Sequence, residues 1–279
     1  MTDNMRGSLF MILSMAGFAV EDAFIKAAAR QMPVGQVLIV MALVGMAAFA
    51  AQARRAGDPP LPRGVLSRTM ALRSGFELAG RLLYALAIAL TPISTASAIL
   101  QATPLVVVLG AALVFGERVS PGRWAVIALG FAGVLVILRP GLDGFDMLSL
   151  LAIGGMLGFA GRDLATRAAP PALSNAQLGV AGFAVLGVSG LVILSVTGGA
   201  TLPSVSGAGL LAGACGFGIL GYGALTVAMR TGEVSAVTPF RYTRLLFAMV
   251  LGIGVFGERP DGATLIGAAM IVGCGVLIL

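Results

Sequence analysis

Phe115-Gly116-Glu117-Arg118 returns 141 residues later as Phe256-Gly257-Glu258-Arg259. The same offset carries Gly17-Phe18-Ala19 onto Gly158-Phe159-Ala160, Asp22 onto Asp163, Lys26 onto Arg167 and Ser94 onto Ser235. A single shift joining points so far apart reads as an internal duplication with halves at 1–138 and 142–279, rather than as shared alanine-rich composition.

Composition fixes what the halves are made of. Of 279 residues, 58% are hydrophobic and 11% charged, and the mean hydropathy is +1.00. A soluble domain carries about 25% charge. Apolar runs occupy 7–29, 34–53, 70–90, 94–115, 123–138, 147–168, 176–196, 206–229, 234–256 and 263–279, broken at stretches such as Asp58-Pro59-Pro60 and Ser120-Pro121-Gly122. At roughly 20 residues per span, ten helices take about 200 residues, leaving about 79 for loops and little room for an extramembrane domain. The prediction is an all-α membrane protein with ten transmembrane helices in two five-helix repeats around a central cavity. Because five is odd, the second repeat enters the membrane inverted, which is a transporter architecture with the substrate near the midplane. If the N-terminus is cytoplasmic, inside segments hold Arg6, Arg54, Arg55, Arg63, Arg68, Arg73, Arg118, Arg123, Arg167 and Arg230. Outside segments then hold Arg30, Arg139 and Arg259, so both termini are expected in the cytoplasm of a multi-pass inner-membrane protein.

Several chemistries are set aside. There is no histidine, and Cys215 and Cys274 lie singly in apolar runs, so no metal, disulfide or cofactor site is expected and no enzyme is read here. The net charge of +6 belongs to helix ends and gives no reason to invoke nucleic acid. Gly216-x-Gly218-x-x-Gly221 matches a dinucleotide fingerprint in letters only, and with no Walker sequence no ATPase partner is implied.

Charges inside spans cost about 2.5–3.5 kcal/mol each and call for reasons. Glu77, Arg81 and Tyr84 share one face of the third helix; Thr238, Arg241 and Arg244 step along the ninth, with Tyr242 beside them. Ser97 and Gln101 precede Pro104 on the fourth. Three midplane arginines against Glu77 leave two positive charges to attract an anionic group. Two readings stand for Glu77 with Arg81, internal glue or substrate contact, and two for Tyr84, Tyr222 and Tyr242, packing or an aromatic wall. Glu21 and Asp22 on the first helix mirror Arg162 and Asp163 on the sixth, as gates or as helix-end pairs such as Asp22 with Lys26. Pro104 and Pro239 are candidate kinks for gating. Glu117 and Glu258 are read as helix-end groups bonded to neighbouring arginines. Gly154-xxx-Gly158 and Gly209-xxx-Gly213 allow close helix contact.

Ten spans, two repeats and a Gly-Glu pair closing the fourth helix of each half resemble the EamA family of the drug/metabolite transporter superfamily. Within it, the chain looks most like the YddG-type exporters of aromatic and other amino acids. The resemblance covers the whole chain. It implies a central cavity lined by the first four helices of each half, with the fifth and tenth outside it. The resulting expectation is an inner-membrane amino acid exporter working by alternating access. Arg81, Arg241 and Arg244 would take the carboxylate, Glu77 the ammonium, and Gln101 and the tyrosines the side chain. A carrier of phosphorylated or other organic anions is the alternative.

Overall fold

The computed structural model describes residues 2–90, 99–138, 147–256 and 260–278. Its longer helices are α1 (Asp3–Ala28), α2 (Val34–Arg55), α3 (Arg68–Leu90), α4 (Thr103–Phe115) and α5 (Pro121–Leu138). They continue as α6 (Ser149–Arg167), α7 (Asn175–Thr197), α8 (Val205–Arg230), α9 (Thr243–Phe256) and α10 (Gly262–Ile278). No strand occurs among the described residues. α1, α2, α5, α7 and α8 are long and apolar enough to cross a membrane. α3 and α6 are continuous, but Arg73, Glu77 and Arg81 and Arg162 and Asp163 break their apolar runs, while α4 and α9 are short. Large apolar side chains such as Leu43, Leu113, Val250 and Val276 stand exposed on the outside, as a lipid-facing surface requires.

Four pairings hold the bundle: α1 on α8, α3 on α6, α2 on α7 and α5 on α10. Each joins one half of the sequence to the other. Under the 141-residue offset the first two exchange and the last two map onto themselves, which is how two halves pack about a twofold axis. Glycines set the closest crossings. A Cβ on Gly17 would lie 3.0 Å from the Gly221 Cα, and one on Gly158 would lie 2.6 Å from the Gly80 Cα. These two contacts exchange under the same offset. Only bare backbone allows that approach. Gly213 does lie against the Phe24 ring, whereas Gly209 has nothing within 4 Å, so half of that second expected motif makes no close contact.

Two local expectations are corrected. Pro104 and Pro239 do not kink continuous helices. Pro104 stands in the first turn of α4 after a turn at 101–102, and Pro239 in the first turn of a 3-10 segment (Thr238–Tyr242) that follows a one-turn helix (Val234–Val237). Proline lacks the N–H that a continuous helix needs, and at a helix start nothing is lost. Among the described residues Glu117 bonds no neighbouring arginine. Gly116, at φ +67°, ends α4 and turns the chain, and Glu117 accepts from the N–H groups of Val234 (2.9 Å) and Ser235 (3.2 Å). It thereby caps a segment of the other half. Glu258 lies outside the described residues.

Candidate substrate cavity

Between the halves lies a cavity of about 230 Å³. Its walls come from α1, α2, α3, α4, α6, α7, α8 and α9 and from the segments leading into α4 and α9; α5 and α10 contribute nothing. Aromatic rings of Phe18, Tyr84, Phe159, Phe183 and Tyr222 line it, with Tyr84 set edge-on to Phe159 at 6.2 Å.

The charges fall into a floor and a mouth. At the floor Glu77, fully buried, receives Arg81 at 3.0 Å, Arg73 at 3.5 Å and Arg162 at 3.8 Å, and accepts the Tyr222 hydroxyl at 3.1 Å. Arg73 also donates to the Tyr222 hydroxyl and, at 2.9 Å, to Thr166. Arg162 donates to Asp163 at 2.7 Å, and the other oxygen of Asp163 holds Arg241. Buried ions call for pairing and hydrogen bonds, and this cluster supplies them except at Arg73 Nη1 and Arg81 Nε, which have no hydrogen-bond partner among the described residues. At the mouth, Asp22 pairs with Arg244, whose guanidinium lies 5.5 Å from the Phe18 ring centre. That pair is 54% and 35% exposed, against 0% and 1% for Glu77 and Arg73, so the cavity opens on the Asp22 side and is closed below by the Glu77 cluster.

The offset exposes an asymmetry. Gly218 and Ala214 occupy the places equivalent to Glu77 and Arg73, and Leu100 and Thr103 those equivalent to Arg241 and Arg244. The plug therefore belongs to one side only, and the small residues Gly218 and Ala214 stand at the equivalent places of Glu77 and Arg73.

Of the expected substrate residues, Arg81, Tyr84, Gln101, Tyr222, Arg241 and Arg244 line the cavity. Ser97 lies outside the described residues. Glu77 sits beneath the lining with its carboxylate engaged by arginines, which corrects its assignment to a substrate ammonium. Thr238 is buried away from the cavity. Tyr242 is likewise turned away: its ring lies against Gly130 of α5 and packs with Val134 and Ile271 between α5 and α10. The 3-10 winding from 238 to 242 rotates these residues off the face that a continuous helix would give. Of the expected gating residues, Glu21, Asp22, Arg162 and Pro104 line the cavity, Asp163 lies under it and Pro239 is buried elsewhere.

Arg73 reads as an inside-segment charge in the sequence, yet it is buried in the plug. Its spacing of four from Glu77, and of eight from Arg81, was the available signal. With Arg73 and Arg162 added and Glu21, Asp22 and Asp163 counted, the site holds five arginines and four carboxylates rather than three against one.

The profile of the EamA-like transporter family matches residues 5–139 and, a second time, residues 147–279. The chain belongs to the EamA-like transporter family. Members are membrane transporters. Among relatives of this EamA-like chain is a riboflavin transporter of Rhizobium johnstonii, 31% identical over 69% of this chain and 63% of that protein. An S-adenosylmethionine uptake transporter of Rickettsia prowazekii is 26% identical over 70% of this chain and 65% of that protein. This chain thus aligns with just under two thirds of the length of both. A pseudopaline exporter of Pseudomonas aeruginosa is 27% identical over 95% of this chain and 93% of its own length. A crystal structure superposes with a TM-score of 0.79 at 22% identity, covering 99% of this chain and 95% of that one, and shares the fold. The family expectation holds, while these relatives carry names other than aromatic amino acid exporters.

Proposed function

We propose that this chain carries amino acids, aromatic ones included, out of a bacterial cell across the inner membrane. The observation behind the reading is a small cavity that presents arginines and aromatic rings together: Arg81, Arg241 and Arg244 beside Phe18, Tyr84 and Phe159. Its volume of about 230 Å³ falls below the roughly 300–1,000 Å³ of drug-sized ligand sites, which suits a solute of amino acid size. All ten helices span the bilayer, the halves 1–138 and 142–279 are inverted repeats, and both termini face the cytoplasm. The mouth then faces outward. A substrate carboxylate competes with Asp22 for Arg244 and with Asp163 for Arg241. Rocking of one half against the other closes the mouth and parts the Glu77 plug.

A second reading takes a flat heteroaromatic solute of the riboflavin type, supported by the relative of that name and by five aromatic rings in the wall. Proteoliposomes separate the two. Uptake of radiolabelled phenylalanine or tryptophan above empty vesicles is expected. Riboflavin uptake without amino acid uptake overturns the first reading, and competition by phosphate esters alone moves the assignment to organic anions. Loss of phenylalanine efflux from cells lacking the protein tests the direction.

A further inference from the structure

We infer that Glu21 is the specificity-determining carboxylate that receives the cationic group of the substrate, so that the cavity selects zwitterions over plain anions. The inference rests on the amino acid reading above and sharpens it.

Every other carboxylate of the site is engaged. Asp22 holds Arg244, Asp163 holds Arg162 and Arg241, and Glu77 holds Arg73, Arg81 and Tyr222. Glu21 lines the cavity, and among the described residues no hydrogen bond or ion pair reaches its carboxylate. Its charged neighbours are Asp22, Arg244 and Arg81, all acting without contact. A half-buried carboxylate on a cavity wall within a bundle calls for a positive partner. The arginines that could serve are held by other acids, which leaves the charge for a solute to meet.

The surroundings keep that charge available. Gly218 faces it across the α1·α8 crossing, and a Cβ there would lie 3.0 Å from Glu21 Oε1. Bare backbone at 218 gives the carboxylate room that any side chain would take. The offset adds a second relation: Arg162, at the place equivalent to Glu21, points at its own neighbour Asp163 and at Glu77. The pair of places thus carries opposite charges, one consumed in the plug and one left facing the cavity. An ammonium at Glu21 and a carboxylate at Arg244 or Arg81 fit one small zwitterion.

The test uses purified full-length protein in detergent, with phenethylamine as a cation-only probe, 3-phenylpropionate as an anion-only probe and phenylalanine bearing both groups. Phenethylamine is expected to raise the melting temperature of the wild type, with at least a tenfold higher half-saturating concentration in Glu21→Gln. Response to 3-phenylpropionate is expected to persist in that variant. Glu21→Asp, which keeps the charge but shortens its reach, should fall between them and serves also if Glu21→Gln does not fold. No response of the wild type to phenethylamine, or an equal response in Glu21→Gln, overturns the inference. Failure of the amino acid reading shows elsewhere, as wild-type proteoliposomes that take up no amino acid.

Discussion

Gly158 of α6 meets Gly80 of α3 so closely that a Cβ on Gly158 would stand 2.6 Å from the Gly80 Cα. The offset turns this contact into that of Gly17 with Gly221, so the duplication has kept a backbone crossing along with a motif. Both crossings bring cavity-lining helices together.

Gly158→Ala should therefore destabilise the protein by about 1–3 kcal/mol, the usual range for overpacking. A melt in detergent measures it. Gly209→Ala, with nothing within 4 Å, is the control and should change stability by less than about 1 kcal/mol. Equal effects would remove the crossing argument.

The Glu77 plug predicts non-additivity. Arg73→Ala or Glu77→Ala alone leaves a buried charge short of a partner and should cost about 3–5 kcal/mol. The double variant should cost clearly less than the sum, since Arg73 and Glu77 lie 3.5 Å apart. Additive melts would show the pair to be uncoupled.

Arg244 predicts the opposite balance. Its bridge to Asp22 is partly exposed, and such pairs contribute about 0–1 kcal/mol. Arg244→Ala should thus fold normally while proteoliposome uptake falls at least tenfold. Normal uptake by this variant would sink the carboxylate assignment.

The tyrosines separate by position. Tyr242→Phe should transport normally, because that hydroxyl makes only a 3.4 Å contact with the Ile127 carbonyl oxygen outside the cavity. Tyr222→Phe removes a group shared by Arg73 and Glu77 and should cost about 1–3 kcal/mol, with impaired uptake. Matching uptake profiles for the two variants would contradict the placement.

The class, the duplication and most of the charged residues are legible in the sequence. Hydropathy needs only composition, and a repeat needs only an offset, so both are legible without coordinates. The face shared by Glu77, Arg81 and Tyr84 was legible too, because helical spacing is local. What each charge does follows from packing between helices. Asp163 meets Arg241 across 78 residues and Asp22 meets Arg244 across 222, and no spacing rule joins residues that far apart. The fold also turned Tyr242 out of the cavity, through a 3-10 segment that shifts the face of every residue it contains. Arg73 could be taken for a loop charge because its depth depends on the helices packed around it. Within a helix, neighbours follow from the period, but between helices they follow from packing, where small residues such as Gly80, Gly158 and Gly221 set which faces can meet.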